Sequence, residues 1–563
     1  MKWVKIPEPK TESTKKLSTV LGVSDIISKL LIQRGINDFD NAKDYFRPLW
    51  SHLHDPFLMQ DMQIAVDRIK ESIEKKEKVM VLGDYDVDGT TSVSLMISYL
   101  NDKIIDLIPY IPNRYSEGYG VSERAIDYAR SEGVKLIIAL DCGIKAIDKV
   151  SYASSLGINF IICDHHMPGE ILPDAIAVLD PKRTDCNYPF KDLCGCGIGL
   201  KFIQGINKHL GLSDTDLIIY FDLVAAAIAA DLVPLVGENR TLMFFGLKQL
   251  RENPRLGFKI LIKNLKRPIN VSDLAFVIAP RINAAGRMDH GMNAVKLMTS
   301  KDQKVVLSIA RTIEFFNTER KSTEERITKE ALQQIRLEDI IKNNSTVVYH
   351  SSWHKGVIGI VASRLIEHYY RPTVVLTKAG EFIVGSVRSV YGFDVYKALE
   401  ACKQNIIQFG GHKYAAGLTL KTEQLQTFKE SFETYVSKNL SSEFKDSEIK
   451  YDLEVEFSDL NLKLFRIINQ MRPFGPKNMN PVFATHCCKD SGSSRLVGND
   501  KTHLRLDVLD SNQTHFQGIG FGLGHMLKKI KETESFSILY TLDENHFNGK
   551  VNLQLKLRDI KFN

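Results

Sequence analysis

No apolar run in this chain reaches the roughly 20 residues that cross a bilayer, so a membrane span is excluded. The first residues, Met1-Lys2-Trp3-Val4-Lys5-Ile6-Pro7, lack the apolar core of a secretion signal. A cytoplasmic protein is expected. Cysteine is scarce: eight residues in 563, without disulfide-framework spacing, which fits a reducing compartment. Cys194-Gly195-Cys196 and Cys487-Cys488 stand too close for ordinary zinc knuckles and read as buried or incidental thiols. Short-period repeats and long low-complexity tracts are also missing. Neither sign of charge dominates. The balance of 74 Lys+Arg against 68 Asp+Glu permits a polyanionic partner without demanding one.

What is present is a chain too long for one hydrophobic core, with the 44% hydrophobic and 25% charged content of a soluble globular protein. Residues 1–75 read as short helices. From Lys78 the apolar runs Val79–Leu82, Ile104–Ile111, Leu136–Leu140, Phe160–Cys163 and Ala175–Leu179 recur, with helical stretches such as Ser122–Glu132 and Ile147–Ser155 between some of them. That alternation predicts a largely parallel α/β sheet over 76–300, with functional groups at the C-terminal strand ends. Residues 301–342 carry many charges, no Pro or Gly, and apolar residues at helical spacing (Leu307, Ala310, Ile313, Ile327, Leu332, Ile335). A long connecting helix is expected there. A second α/β pattern starts at Ser345 and occupies 343–446. Beyond it, His503–Leu509 and Val551–Leu557 alternate polar and apolar residues, and Asn548-Gly549 is a hairpin-turn signal. The segment 447–563 is therefore expected to be an all-β barrel or sandwich. The fold class is α/β, with two α/β domains joined by a long helix plus this β domain.

The sharpest local signal is Gly83-Asp84-Tyr85-Asp86-Val87-Asp88-Gly89 after an apolar strand. Alternate residues of an extended segment share a face. Three buried carboxylates there repel one another unless a cation compensates, and hard oxygen ligands favour Mg²⁺, Mn²⁺ or Ca²⁺. A calcium loop counted from Asp84 needs Glu at its twelfth position, which is Leu95. Further carboxylates follow apolar elements at Leu140-Asp141-Cys142-Gly143, Cys163-Asp164-His165-His166 and Ala230-Asp231. Each alone reads as a turn or a cap; all four at element ends read as a site.

These motifs, in this order, resemble those of the DHH phosphoesterase superfamily. Arg281–Met288 (Arg-Ile-Asn-Ala-Ala-Gly-Arg-Met), Trp353–Gly359, Gly385-Ser386-Val387-Arg388-Ser389, Phe409-Gly410-Gly411-His412 and Pro473-Phe474-Gly475-Pro476-Lys477-Asn478 resemble its RecJ branch. So do Arg34-Gly35-Ile36 and Asp55-Pro56-Phe57-Leu58. The resemblance spans nearly the whole chain. It implies a DHH domain, a linking helix, a DHHA1 domain and an OB-fold, and the activity of a 5′-to-3′ exonuclease on single-stranded DNA in repair and recombination.

By the same resemblance, Asp86, Asp88, Asp141, His165 and Asp231 hold a pair of divalent ions, Mn²⁺ or Mg²⁺, with Asp88 and Asp141 as bridging candidates. Some members carry a His where this chain has Leu82, so Asp84 either supplies the missing ligand or supports it. His166 acts on the scissile phosphate or stands behind the ligands. Two cations ~3.5–4 Å apart activate water and clamp phosphate oxygens. Arg114 and Tyr115 lie in an aromatic-rich loop suited to phosphate and base. Arg281, Arg287, Ser386, Arg388, Gly410, Gly411 and His412 are the other expected DNA contacts. Lys528, Lys529, Lys531, Lys556 and Arg558 are candidates for the OB groove. The expected partners are single-stranded DNA with a free 5′ end, a helicase and a single-strand-binding protein, acting with a monomer. Two rivals stand beside this reading. One is a DHH enzyme for oligoribonucleotides or cyclic dinucleotides, disfavoured by the β-rich tail. The other is a non-catalytic replication scaffold, disfavoured by the intact acidic and His positions.

Overall fold

The computed structural model describes residues 2–562 apart from 102, 105, 442–446 and 548–549. The first strand, β1 (Lys2–Lys5), pairs far along the chain. The five strands that follow, β2 (Val79–Gly83), β3 (Leu107–Tyr110), β4 (Leu136–Leu140), β5 (Asn159–Cys163) and β6 (Ala177–Leu179), make one sheet in the order β3-β2-β4-β5-β6. Every pairing in it is parallel. Continuous apolar strands suit a sheet covered on both faces. Alternate residues feed two cores. Leu136, Ile138 and Leu140 enter one, and Ile137 and Ala139 enter the other. The chain leaves β2 for β3 on one side and returns to β4 on the other. That reversal opens a crevice at the C-terminal ends of β2 and β4, where ligands of such sheets bind. Asp84 and Asp141 stand at those two ends.

The helix Gln303–Leu337 runs for 35 residues, about 50 Å at 1.5 Å per residue. Asp302 caps it by accepting from the amides of Lys304 and Val305. Its buried stripe begins at Val306, with Leu307 only partly buried, and continues through Ala310, Ile313, Ile327, Ala331 and Ile335. The first part of the stripe packs into the first domain's core. Ile327 and the residues after it pack with Val348 and Val361 of the next domain. That domain holds β7 (Thr346–Tyr349), β8 (Thr373–Ala379), β9 (Phe382–Arg388), β10 (Gln408–His412) and β11 (Ala415–Lys421), ordered β10-β11-β9-β8-β7.

The C-terminal strands are β12 (Glu448–Tyr451), β13 (Leu453–Glu454), β14 (Phe483–Asp490), β15 (Arg495–Val497), β16 (His503–Leu509), β17 (His515–Gly520), β18 (Phe536–Phe547) and β19 (Lys550–Phe562). Neighbour pairing runs β14-β18-β19-β17-β16, and β14 also pairs with β16, so these five strands close a barrel. Five strands closed this way are the OB architecture. The expected turn at Asn548-Gly549 lies outside the described residues, as does the expected boundary at 446. Residues 1–75 do not form a unit of their own. Leu17, Ile27, Leu30, Leu31 and Ile36 pack into the barrel's core, and β1 pairs in parallel with β12. The helix Met62–Lys75 packs instead under the first sheet, through Met62, Ala65, Val66 and Ile69. Helix periodicity shows that an apolar face exists, but not which partner covers it.

Candidate metal centre and anion cleft

The turn after β2 is folded tightly on the helix Val87–Leu100. A methyl group on Gly89 would lie 2.4 Å from the Asp84 carbonyl oxygen, so only glycine permits the approach. Asp86 caps this helix, its Oδ1 accepting from the Gly89 amide at 3.1 Å. Asp88 points into the core. Its Oδ2 accepts from Gly195 N and its Oδ1 from Cys196 N, both at 2.7 Å, at the start of the helix Gly195–His209. Backbone amides and the helix dipole thus hold the carboxylate in place. Asp141 follows β4 in a left-handed conformation, φ +60°. A methyl on Gly195 would lie 2.6 Å from its Cβ.

Asp164 accepts from four donors: the amides of His165, His166 and Ile144, and His166 Nδ1. It is therefore a positioning group rather than a free ligand. His165 Nε2 sits among carboxylates, 3.2 Å from Asp141 Oδ1, 3.7 Å from Asp231 Oδ2 and 3.9 Å from Asp88 Oδ2. With one donor atom from each residue, Asp88, His165 and Asp231 come within 4.8 Å of one another, and so do Asp141, His165 and His166. Asp84 and Asp86 join neither triplet, but the charge of Asp86 acts on Asp88, Asp141 and Asp231.

The electrostatics describe a site short of positive charge. Burial, then the charge of Asp86, lifts Asp84 to about 8. The same two causes lift Asp231, at the mouth, to about 7. Asp88 is pushed well up by burial and by Asp231, and Asp141 by burial and by Asp88. Burial, then the neighbouring His166, drops His165 to about 3, so it is neutral and its nitrogen is available as a donor. Asp84 Oδ1 and Asp141 Oδ1 are buried without a hydrogen-bond partner. Converging carboxylates, a neutral imidazole and orphaned oxygens fit divalent cations of the Mg²⁺/Mn²⁺ class. His166 differs. Burial works against its proton, but Asp164 outweighs that and raises its pKa. Its Nε2 lies 3.4 Å from the Tyr119 hydroxyl, which donates to the Asp141 carbonyl at 3.1 Å.

Beside this centre lie three arginines. Arg114 stacks over the Tyr85 ring, its guanidinium carbon 4.8 Å from the centroid. Arg287 donates to the Gly356 carbonyl at 3.2 Å, and the Tyr115 hydroxyl donates to the Arg287 carbonyl. Burial, then Arg114 and Arg388, pulls Arg287 down to about 10. Burial and Arg114 likewise lower Arg388. Arg388 Nη1 donates to Ser386 Oγ at 3.1 Å. A methyl on Gly359 would come within 2.9 Å of both the Arg388 Nη2 and the Ser386 Oγ atoms. Three partly buried cations gathered here, two of them pulled down by burial and by Arg114, want an anion. Burial, then Arg388 and His166, lowers the pKa of His412.

Two expected contacts are built otherwise. Arg281 is committed to Glu314 on the long helix, Nε to Oε2 2.6 Å. Six residues of helix turn it about 240° away from Arg287. Gly411, at φ +140°, serves the backbone: a methyl there would lie 2.4 Å from the Ala415 carbonyl oxygen. Around the Gly410 Cα the space is open.

The comparisons follow the same division of the chain. Family models match the DHH family N-terminal domain at 78–228, the DHHA1 domain at 342–438 and the RecJ OB domain at 451–559. The single-stranded-DNA-specific exonuclease RecJ of Bacillus subtilis strain 168 is 34% identical over 565 residues, 99% of this chain and 70% of that protein. The chain belongs to the RecJ family. The Escherichia coli K12 RecJ is 30% identical, with 95% of each chain covered. The crystal structure of Thermus thermophilus RecJ with Mn²⁺ superposes with a TM-score of 0.86 at 24% identity, covering 100% of this chain and 79% of that one. A manganese-bound exonuclease RecJ structure matches at 29% identity with a TM-score of 0.61, covering 69% of this chain and 97% of that one.

For this RecJ-family chain the sequence left several groups unassigned. The Gly195 and Cys196 amides were hidden because Cys194-Gly195-Cys196 reads as thiols. Cys194 in fact caps its helix through Sγ, accepting from Gly197 N at 3.4 Å. Glycines at 195, 197 and 199 opening a helix were the available signal. Tyr119 lay in the aromatic-rich loop but was not singled out, and Lys182, whose ammonium donates to the His165 carbonyl, carried no signal. The Pro473–Asn478 motif proves to be a tether. Leu235, four residues past Asp231, donates its amide to the Pro476 carbonyl at 2.7 Å. Arg240 donates to the carbonyls of Met471, Arg472 and Pro473.

Proposed function

We propose that this chain is an exonuclease specific for single-stranded DNA, acting in repair and recombination, that removes 5′-mononucleotides in the 5′-to-3′ direction with two divalent cations, Mn²⁺ or Mg²⁺. The observation that carries the reading is the carboxylate centre opening beside a cluster of three partly buried arginines. Asp88, Asp141, His165 and Asp231 would hold the ions, and Asp84 and Asp86 would add negative charge beside them. When bound, the cations lower the pKa of water and neutralise the phosphate's oxygens.

The chain's own residues do the rest. Arg114, Arg287 and Arg388, with the Ser386 hydroxyl, seat the terminal 5′-phosphate. A terminal phosphate carries up to about one more negative charge than a diester, since its second pKa is near 6. That seat sets the next phosphodiester over the carboxylates. Protonated His166, held at Nδ1 by Asp164, presents Nε2–H to a phosphate oxygen. Water adds to phosphorus, the bond to the first nucleotide's 3′-oxygen breaks, and that oxygen takes up a proton. The mononucleotide leaves, and the shortened strand keeps a 5′-phosphate. The barrel, fixed by Arg240, favours a long strand over a dinucleotide as substrate. A helicase and a single-strand-binding protein are the partners this activity calls for, and a cytoplasmic monomer is the form proposed. No helix among the described residues is long and apolar enough to cross a membrane.

The test uses 5′-labelled single strands with and without Mn²⁺. Wild type releases labelled mononucleotide at once, and Asp141→Ala releases none while keeping single-strand affinity within about tenfold, because phosphate contacts dominate binding. Substantial turnover by Asp141→Ala in saturating Mn²⁺ contradicts the assignment.

A further inference from the structure

Lys182 stands at the metal centre but has no part in the ligand set. It follows β6 in the turn Asp180-Pro181-Lys182-Arg183, where Asp180 Oδ1 accepts from the Lys182 amide at 2.7 Å. The two cations of this turn are used differently. Arg183 is buried and pairs with Asp61 and Asp185. Lys182 is half-buried, and among the described residues it pairs with no carboxylate. Its ammonium gives one of three donors to the carbonyl of His165, whose Nε2 lies 3.7 Å from Asp231 Oδ2. Burial, then Asp86, raises the pKa of Asp231, and the charges of His166 and Lys182 oppose them.

The sheet order sets the functional groups in a row across the crevice. Arg114 follows β3, Asp84 and Asp86 follow β2, Asp141 follows β4, His165 and His166 follow β5, and Lys182 follows β6. Neighbouring strands lie about 4.8 Å apart, so β3 and β6 end roughly 19 Å apart, with the carboxylates between. The barrel is tethered beyond Asp231, through the Leu235 amide and the Pro476 carbonyl. A strand whose 5′-phosphate sits at Arg114 and whose later nucleotides reach the barrel crosses the ends of β2 and β4. It then leaves past His165 and Asp231, beside Lys182. The chemistry of the two ends agrees with that direction. Arginine forks suit a terminal phosphate with two charges, and a single ammonium suits a diester with one.

We propose that Lys182 binds the phosphodiester immediately 3′ of the scissile one and so holds the outgoing strand in line over the carboxylates. The proposal rests on the exonuclease reading above. The substrates are 5′-labelled single strands with one neutral methylphosphonate at the second, third or fourth linkage, and kcat/KM for release of the first nucleotide is measured in Mn²⁺. In wild type the substitution at the second linkage lowers kcat/KM about tenfold, the scale of losing one charge-assisted hydrogen bond, and those further along lower it less. Lys182→Gln keeps a donor for the His165 carbonyl but removes the charge. It is about tenfold slower on the unmodified strand and indifferent to the methylphosphonate at the second linkage, and Lys182→Arg restores both. Its Mn²⁺ affinity by calorimetry does not fall. A wild type indifferent at the second linkage, or a Lys182→Gln as sensitive there as wild type, overturns the proposal. So does a Mn²⁺ affinity that falls as far as kcat/KM, which would make Lys182 a support for His165. If wild type releases no nucleotide even from the unmodified strand, the exonuclease reading itself fails and takes this assignment with it.

Discussion

Replacing Arg388 by alanine removes one of three partly buried cations and, among the described residues, breaks no ion pair. Its hydrogen bonds run to the Ser386 hydroxyl at 3.1 Å and the Val387 carbonyl at 2.9 Å. Losing a charge-assisted hydrogen bond to the terminal phosphate costs about 1.5–3 kcal/mol, or roughly 10- to 150-fold. Two cations still face the phosphate, since burial, Arg114 and Arg388 pull Arg287 down only to about 10, where it keeps its charge at neutral pH. The expected effect is therefore at the low end, about a tenfold narrowing of the preference for 5′-phosphorylated over 5′-hydroxyl ends. The assay compares kcat/KM for the two substrates in both proteins. Thermal stability without DNA should hold or rise, because a partly buried cation with no carboxylate partner among the described residues is gone. Equal loss on both substrates would refute the reasoning and make Arg388 a general backbone contact. A large fall in melting temperature would refute the claim that it is held without a counter-charge.

Gly195→Ala forces a methyl to within 2.6 Å of the Asp141 Cβ and shifts the amides that hold Asp88. Mn²⁺ affinity by calorimetry should fall about tenfold or more, the scale of losing a group that orients ligands; unchanged affinity would show that the amides do not set the site. In metal-free protein Asp84 and Asp231 hold their protons up to about 8 and about 7, against an ordinary 3.8. Raised carboxyl pKa values favour the folded state at low pH, so melting temperature in EDTA should fall between about pH 4 and pH 8. Mn²⁺ should flatten that slope, as should Asp84→Asn combined with Asp231→Asn; identical slopes with and without these changes would contradict it. Deleting 447–563 bares Leu17, Ile27, Leu30 and Leu31, which pack into the barrel's core, so the truncated protein should aggregate. Removing residues 1–46 as well should recover soluble protein, and a soluble single truncation would show the packing to be dispensable.

The elements and the chemistry at their ends were legible from neighbouring residues alone. Apolar runs that stop at Asp84, Asp141 and Asp164 are local facts, because a strand and the turn that ends it are written in neighbouring residues. The 35-residue helix was legible for the same reason: helical spacing without Pro or Gly is a local pattern. The proposed metal ligands and Arg388 came through family motifs, which compress distant contacts into short strings. Tertiary structure decided which groups converge. Asp88 and the Gly195 amide are 107 residues apart, and no period links them. Arg281 and Arg287 lie in one motif, yet the helix turns one to Glu314 and the other to the cleft. Leu17 and its neighbours show an apolar face in sequence, but only packing assigned it to a barrel more than 400 residues away. Side-chain direction and long-range pairing depend on the closed fold, since an apolar face or an unmet amide names no partner until the chain brings one within reach.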